Sequence, residues 1–193
     1  MNSYRWRTVD IVVASTIAVA FGVIFWAWTL LYNAVTAAFT FYPPAQAVMY
    51  GVWLVPAVLG PWVVRKPGAA LYCETLAAIV SVLLGSSWGT SIIWQGLIQG
   101  AGAELVFLFF LYRVWKLPVA VLAAAATGLS AAIYDQVVYY SSYEWMSFRL
   151  PQILITVAST TIIAGFGTPA LTKALAATGV LDRFAAGRAR ELV

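Results

Sequence analysis

Residues 10–31 read DIVVASTIAVAFGVIFWAWTLL. Asp10 opens the run, and no charge follows it as far as Leu31. A helix rising about 1.5 Å per residue needs about 20 mostly apolar residues to cross a hydrocarbon core about 30 Å thick. No water reaches the backbone there, so only a helix can satisfy the N–H and C=O groups of a lone segment. Arg5 and Arg7 precede the run, as basic residues precede a secretory signal. The run exceeds the roughly 7–15 apolar residues of a signal peptide, so it reads as a retained span. Asp10 sits where a carboxylate suits the positive end of the helix dipole, and it is given no further role.

Outward from this stretch, five more apolar runs follow at about 46–64, 69–84, 91–112, 117–140 and 150–175. Turn-forming strings separate them: Tyr42-Pro43-Pro44, then Arg65-Lys66-Pro67-Gly68, then Gly85-Ser86-Ser87-Trp88-Gly89. The pattern predicts an all-α integral membrane protein, a six-transmembrane-helix bundle forming one membrane domain over residues 1–193. Composition agrees. The chain is 63% hydrophobic and 9% charged, whereas soluble domains carry about 25% charged residues. The lipid bilayer is therefore its solvent, and nine Trp suit the two membrane interfaces.

Charge sets the expected orientation. Arg5, Arg7, Arg65, Lys66, Arg113, Lys116, Lys173, Arg183, Arg188 and Arg190 fall on one side, ten of the eleven Lys and Arg. Arg149 alone falls on the other. Short loops rich in Lys and Arg stay inside, so both termini are expected to be cytoplasmic. The same dispersal over loops argues against nucleic acid as a partner, despite a net charge of +4. The chain has no His and a single Cys, Cys73, so the sequence points to no metal site, internal disulfide or cofactor. The stretch Leu181–Val193 is basic and mildly amphipathic; lying on the inner surface and fraying are both open readings for it.

Ionisable groups inside spans cost about 2.5–3.5 kcal/mol each on insertion scales, so each asks for a reason. Glu74, Glu104 and Asp135 are the three. Rise per residue puts Glu74 and Glu104 about 10–12 Å from the cytoplasmic ends of their spans, and Asp135 about 8 Å below the outer end of its own. Gln95 and Gln99 lie one turn apart on one stripe of the fourth span, and Glu104 lies near the opposite side of that helix. Asp135, Gln95 and Gln99, walled by Tyr50, Trp53, Trp88 and Tyr139, make an expected outer-half pocket. Aromatic walls would stack on a flat heterocycle or hold its cation. The carboxylate would balance charge or accept hydrogen bonds from an amino group. Interfacial belts and interhelical amide bonds are the competing account of the same residues. Glu74 and Glu104 either pair with each other or line the pocket floor. Ala14, Ala18 and Gly22, four apart on the first span, fit either packing within the bundle or docking of a partner helix.

Several strings taken together resemble a known family. They are Tyr50-Gly51-Val52-Trp53, Arg65-Lys66-Pro67-Gly68-Ala69-Ala70-Leu71 with Glu74, Gln99-Gly100-Ala101-Gly102-Ala103-Glu104, Tyr134-Asp135 and Thr178-Gly179-Val180-Leu181. The chain resembles the YkoE family, the substrate-binding S components of energy-coupling factor (ECF) transporters. The resemblance implies a multi-pass protein of the bacterial inner membrane that is not itself an enzyme. It implies capture of thiamine or its hydroxymethylpyrimidine part on the outer side, with a membrane T component and two ATPase subunits as partners. It favours the docking reading of Ala14, Ala18 and Gly22. Some members carry a carboxylate seven residues after the Glu74 position; here that residue is Ser81, on the Glu74 face, which shifts the expected ligand toward an uncharged pyrimidine. The competing functional class is a stand-alone ion-coupled carrier using Asp135, Glu74 and Glu104 as proton sites.

Overall fold

The computed structural model describes residues 4–179, 181 and 184. Most of the expectation for Leu181–Val193 therefore lies outside the described residues. Among the described residues, five helical segments are long and apolar enough to cross a membrane: Thr8–Phe39, Pro43–Val64, Ser91–Phe109, Leu117–Val138 and Trp145–Ala177. A shorter apolar helix, Ala69–Leu83, completes six.

Within these segments α1 is Thr8–Val35, continued by a 3₁₀ turn over Thr36–Phe39. The next segment changes pitch. Pro43–Leu54 winds as a 3₁₀ helix, and α2 occupies Val55–Val64. Then come α3 (Ala69–Leu83), α4 (Ser91–Phe109) and α5 (Leu117–Val138). The last segment is a π turn at Trp145–Arg149, α6 (Leu150–Thr160), a π stretch at Thr161–Phe166 and α7 (Gly167–Ala177).

The second segment is the axis of the bundle. All ten residues of α2 are buried, although the stretch holds Pro56 and Pro61. Around it, α1 packs on α3, α3 on α4, α4 on α5, and α5 on α6. Small residues set these distances, since only short side chains let helix backbones approach closely. Ala69, Ala70, Cys73, Ala77 and Ala78 are the buried apolar residues of α3, and Ala120, Ala123, Ala124, Ala131 and Ala132 line α5.

The face of α1 bearing Ala14, Ala18 and Gly22 is taken. Both alanines have 0% exposure. A Cβ on Gly22 would lie 2.5 Å from Val80 Cβ and 2.9 Å from the Ala77 carbonyl, both on α3. In this structure the small residues of the stripe admit α3 within the same chain.

At one end of the bundle, charged and polar groups tie the turn between α2 and α3. Arg65 and Gly68 take positive φ, 56° and 82°, which Gly adopts freely. Asp10 is fully buried and holds Arg7 at 2.8 Å and Lys66 at 3.9 Å, so the start of α1 is pinned to this turn. Glu104 accepts from the N–H groups of Gly68 at 2.6 Å and Ala70 at 2.9 Å, and from the Tyr112 hydroxyl at 2.6 Å. Glu104 caps the start of α3 and lines no part of the cavity described below.

Candidate functional site

At the opposite end, near the turn that carries Trp88, the helices part around a cavity. Its wall takes in Tyr50, Trp53, Glu74, Ser81, Trp88, Gln95, Gln99, Asp135 and Tyr139. Four helical segments, the Tyr139 cap of α5 and the turn at Trp88 supply them, so residues as far apart as Tyr50 and Asp135 become neighbours only through packing.

A closed triangle of hydrogen bonds stands on one side. The Tyr50 hydroxyl donates to Asp135 Oδ2 at 2.5 Å. The Gln95 amide donates to Asp135 Oδ1 at 2.8 Å and to the Tyr50 oxygen at 2.7 Å. All three are buried, Asp135 at 2% exposure. Its donors are neutral. Among the described residues the ion pairs are those of Asp10 with Arg7 and Lys66, so the Asp135 carboxylate has no cation beside it. A buried carboxylate without a counter-charge is costly.

Aromatic rings form the mouth. Tyr32 lies 5.2 Å from Trp53 and 5.8 Å from Trp88, centroid to centroid, and Trp88 lies 6.2 Å from Tyr139. The Tyr139 hydroxyl pairs with Ser91 Oγ at 3.0 Å, which fixes the ring beside the start of α4.

Deeper in the cavity, Glu74 is fully buried on α3. Its Oε2 accepts from the Ala57 N–H at 2.9 Å, while its Oε1 has no partner among the described residues. Ser81 Oγ, two turns along the same face, is likewise buried and unpartnered. Glu74 and Glu104 thus serve different backbone donors and do not form the shared contact that was one expectation.

Sequence reasoning missed Phe25, Thr29, Tyr32, Ala78, Ile92 and Tyr140, which complete the wall. A signal existed for three of them. Phe25, Thr29 and Tyr32 continue the Ala14–Ala18–Gly22 stripe along one face of α1, at steps of three and four. Following that stripe as an inward face would have led into the pocket. Gln46, on the pocket face by periodicity, instead ties the Tyr32 carbonyl and the Thr36 hydroxyl, both at 2.9 Å.

The comparisons with known proteins agree with this architecture. Residues 9–130 match a family model described as an ABC-type cobalt transport system permease component. A Bacillus subtilis (strain 168) protein, provisionally named HMP/thiamine permease protein YkoE, is 36% identical over 184 residues, 95% of this chain and 91% of that protein. A solved structure, described as the crystal structure of an S-component of an ECF transporter, superposes with a TM-score of 0.90 at 35% identity, covering 97% of this chain and 94% of that one. Identity at this level along nearly the full length, on the same helical framework, shows that the chain belongs to the YkoE family of S components, the substrate-binding, non-catalytic membrane subunits of ECF transporters.

Proposed function

We propose that the chain captures thiamine, or the hydroxymethylpyrimidine part of it, in the cavity between Asp135, Glu74 and the aromatic mouth. The observation that carries this reading is the Asp135–Tyr50–Gln95 triangle. It holds a buried carboxylate in place with neutral donors and leaves its charge unbalanced. A ligand with a flat cationic ring supplies the missing charge, and Trp53, Trp88, Tyr32 and Tyr139 offer faces to stack on it. Thiamine has such a ring, and the name of the Bacillus subtilis relative points to the same compounds. Glu74 Oε1 and Ser81 Oγ remain for the polar groups of a pyrimidine. The cobalt in the family model's description finds less support. The chain has no His, and no group of three or more His, Cys, Asp or Glu gathers among the described residues.

As an S component the chain works with a membrane T component and ATPase subunits; binding needs no ATP, and transport does. The basic turns at residues 65–68 and 113–116 favour a cytoplasmic position for that end, which puts the cavity on the outer side. Cysteines placed at Ser86 and Lys116 in a Cys73→Ser background test this: only Ser86→Cys is to react with an impermeant thiol reagent on intact cells. The ligand test is quenching of the Trp fluorescence of the purified protein by thiamine, hydroxymethylpyrimidine and riboflavin. Saturable quenching by a pyrimidine compound but not by riboflavin supports the assignment, and silence to both pyrimidines refutes it.

A further inference from the structure

The junction between Pro43–Leu54 and α2 lies inside the bundle, where a helix start is expensive. The first N–H groups of a helix have no partner within it, and the membrane interior offers no water. Leu54, at the cap position, has no side-chain acceptor to offer, and Pro56 has no N–H to satisfy. The Ala57 N–H is satisfied from another helix, by Glu74 Oε2 on α3. The other oxygen of the same carboxylate is buried, without a partner among the described residues, and part of a residue that lines the cavity. A buried acceptor left open in this way calls for a donor.

We propose that Glu74 couples occupancy of the cavity to α2: Oε1 takes the exocyclic amino group of a bound aminopyrimidine while Oε2 holds the Ala57 N–H. The inference rests on the reading of the cavity as a vitamin site and adds how its occupancy is felt elsewhere. A carboxylate is rigid and planar, so a donor that draws Oε1 also sets the position of Oε2. The helix it holds is buried along its whole length and cannot yield locally. It ends in the Arg65–Gly68 turn, which Asp10 grips through Lys66 and Glu104 grips through the Gly68 N–H. Occupancy at one end of the bundle is thereby mechanically joined to the turn at the other.

The test combines hydrogen exchange with binding on the purified full chain. The ligands are hydroxymethylpyrimidine and its analogue lacking the amino group. In the wild type, saturating hydroxymethylpyrimidine is expected to slow amide exchange over residues 55–64 by at least about tenfold. The analogue is expected to bind at least about tenfold more weakly. Glu74→Ala is expected to abolish both the slowing and the discrimination. Glu74→Gln keeps an acceptor for Ala57, serves if the alanine variant does not fold, and lowers the discrimination. A cap with a purely structural role would loosen α2 equally with and without ligand. Equal slowing in wild type and variant at saturation, or unchanged discrimination, overturns the proposal. A wild type that binds hydroxymethylpyrimidine regardless of its amino group overturns this inference alone. A wild type that binds neither pyrimidine overturns the vitamin reading with it.

Discussion

Replacing Asp135 by Asn keeps the shape of the triangle and removes its charge. Asp135 accepts two hydrogen bonds, from Tyr50 and from Gln95. An Asn can accept from Gln95 through its oxygen, and its NH₂ can donate to the Tyr50 hydroxyl once that hydroxyl turns to accept. Hydrogen bonds to charged groups contribute about 1.5–3 kcal/mol each, more than the neutral bonds that replace them. The ligand loses more. A unit charge pair at 4 Å and an effective dielectric of about 20 is worth about 4 kcal/mol before desolvation is subtracted. Net of that cost, thiamine affinity is expected to fall at least about tenfold, or about 1.4 kcal/mol. Neutral hydroxymethylpyrimidine, which gains little from the charge, is expected to lose no more than about threefold, or about 0.6 kcal/mol. Titration calorimetry of the purified variant reads both numbers, with the melting temperature as a control for folding. Equal losses for the two ligands would refute the claim that Asp135 acts through its charge. Unchanged affinity for both would move the site away from Asp135.

Three further outcomes follow from contacts elsewhere. Gly22→Ala places a methyl 2.5 Å from Val80 Cβ, and overpacking of this kind costs about 1–3 kcal/mol. Thermal unfolding in detergent should show the loss in the isolated chain; full stability with impaired assembly would favour the docking reading. Glu104→Ala strips acceptors from the Gly68 N–H, the Ala70 N–H and the Tyr112 hydroxyl. At about 1–3 kcal/mol for each buried donor left unpaired, it should lower the melting temperature more than Glu104→Gln does, with ligand affinity retained in both; weakened binding in a folded Glu104→Gln would contradict its purely structural placement. The Ser147 N–H at the first turn of the Trp145–Arg149 segment holds the exposed Glu144 carboxyl below the usual carboxylate range. A depressed folded value means the ordering is present above the unfolded range and lost as pH falls through the folded one. Exchange at the Ser147 amide should therefore gain an acid-dependent acceleration beyond the intrinsic rate, and Glu144→Gln should remove that dependence.

How far the sequence carried depended on whether a feature was local. Span positions follow from runs of apolar residues, which membrane thickness makes legible. Asp135, Gln95 and Glu74 were legible for a related reason. A polar group in a span is expensive enough to be noticed one residue at a time. What each carboxylate does was not legible. Glu74 and Glu104 read as equals, with similar depth and the same chemistry, and the fold sends one to the cavity and the other to a turn.

The sequence by itself determined that this chain lies in a membrane, that it crosses in about six helices, and which side chains would be costly there. Those are properties of single segments measured against a fixed solvent. Only the tertiary structure decided which face of α1 points inward, because a small-residue stripe fits α3 of the same chain as well as a partner's helix. Only it decided that Tyr50, Gln95 and Asp135 close a triangle, since their distances depend on the rotation and tilt of three helices. The same holds for Glu74: its place in the sequence marks it as a buried acid, but the break in the second span is what gives one of its oxygens the Ala57 N–H while the other faces no donor among the described residues.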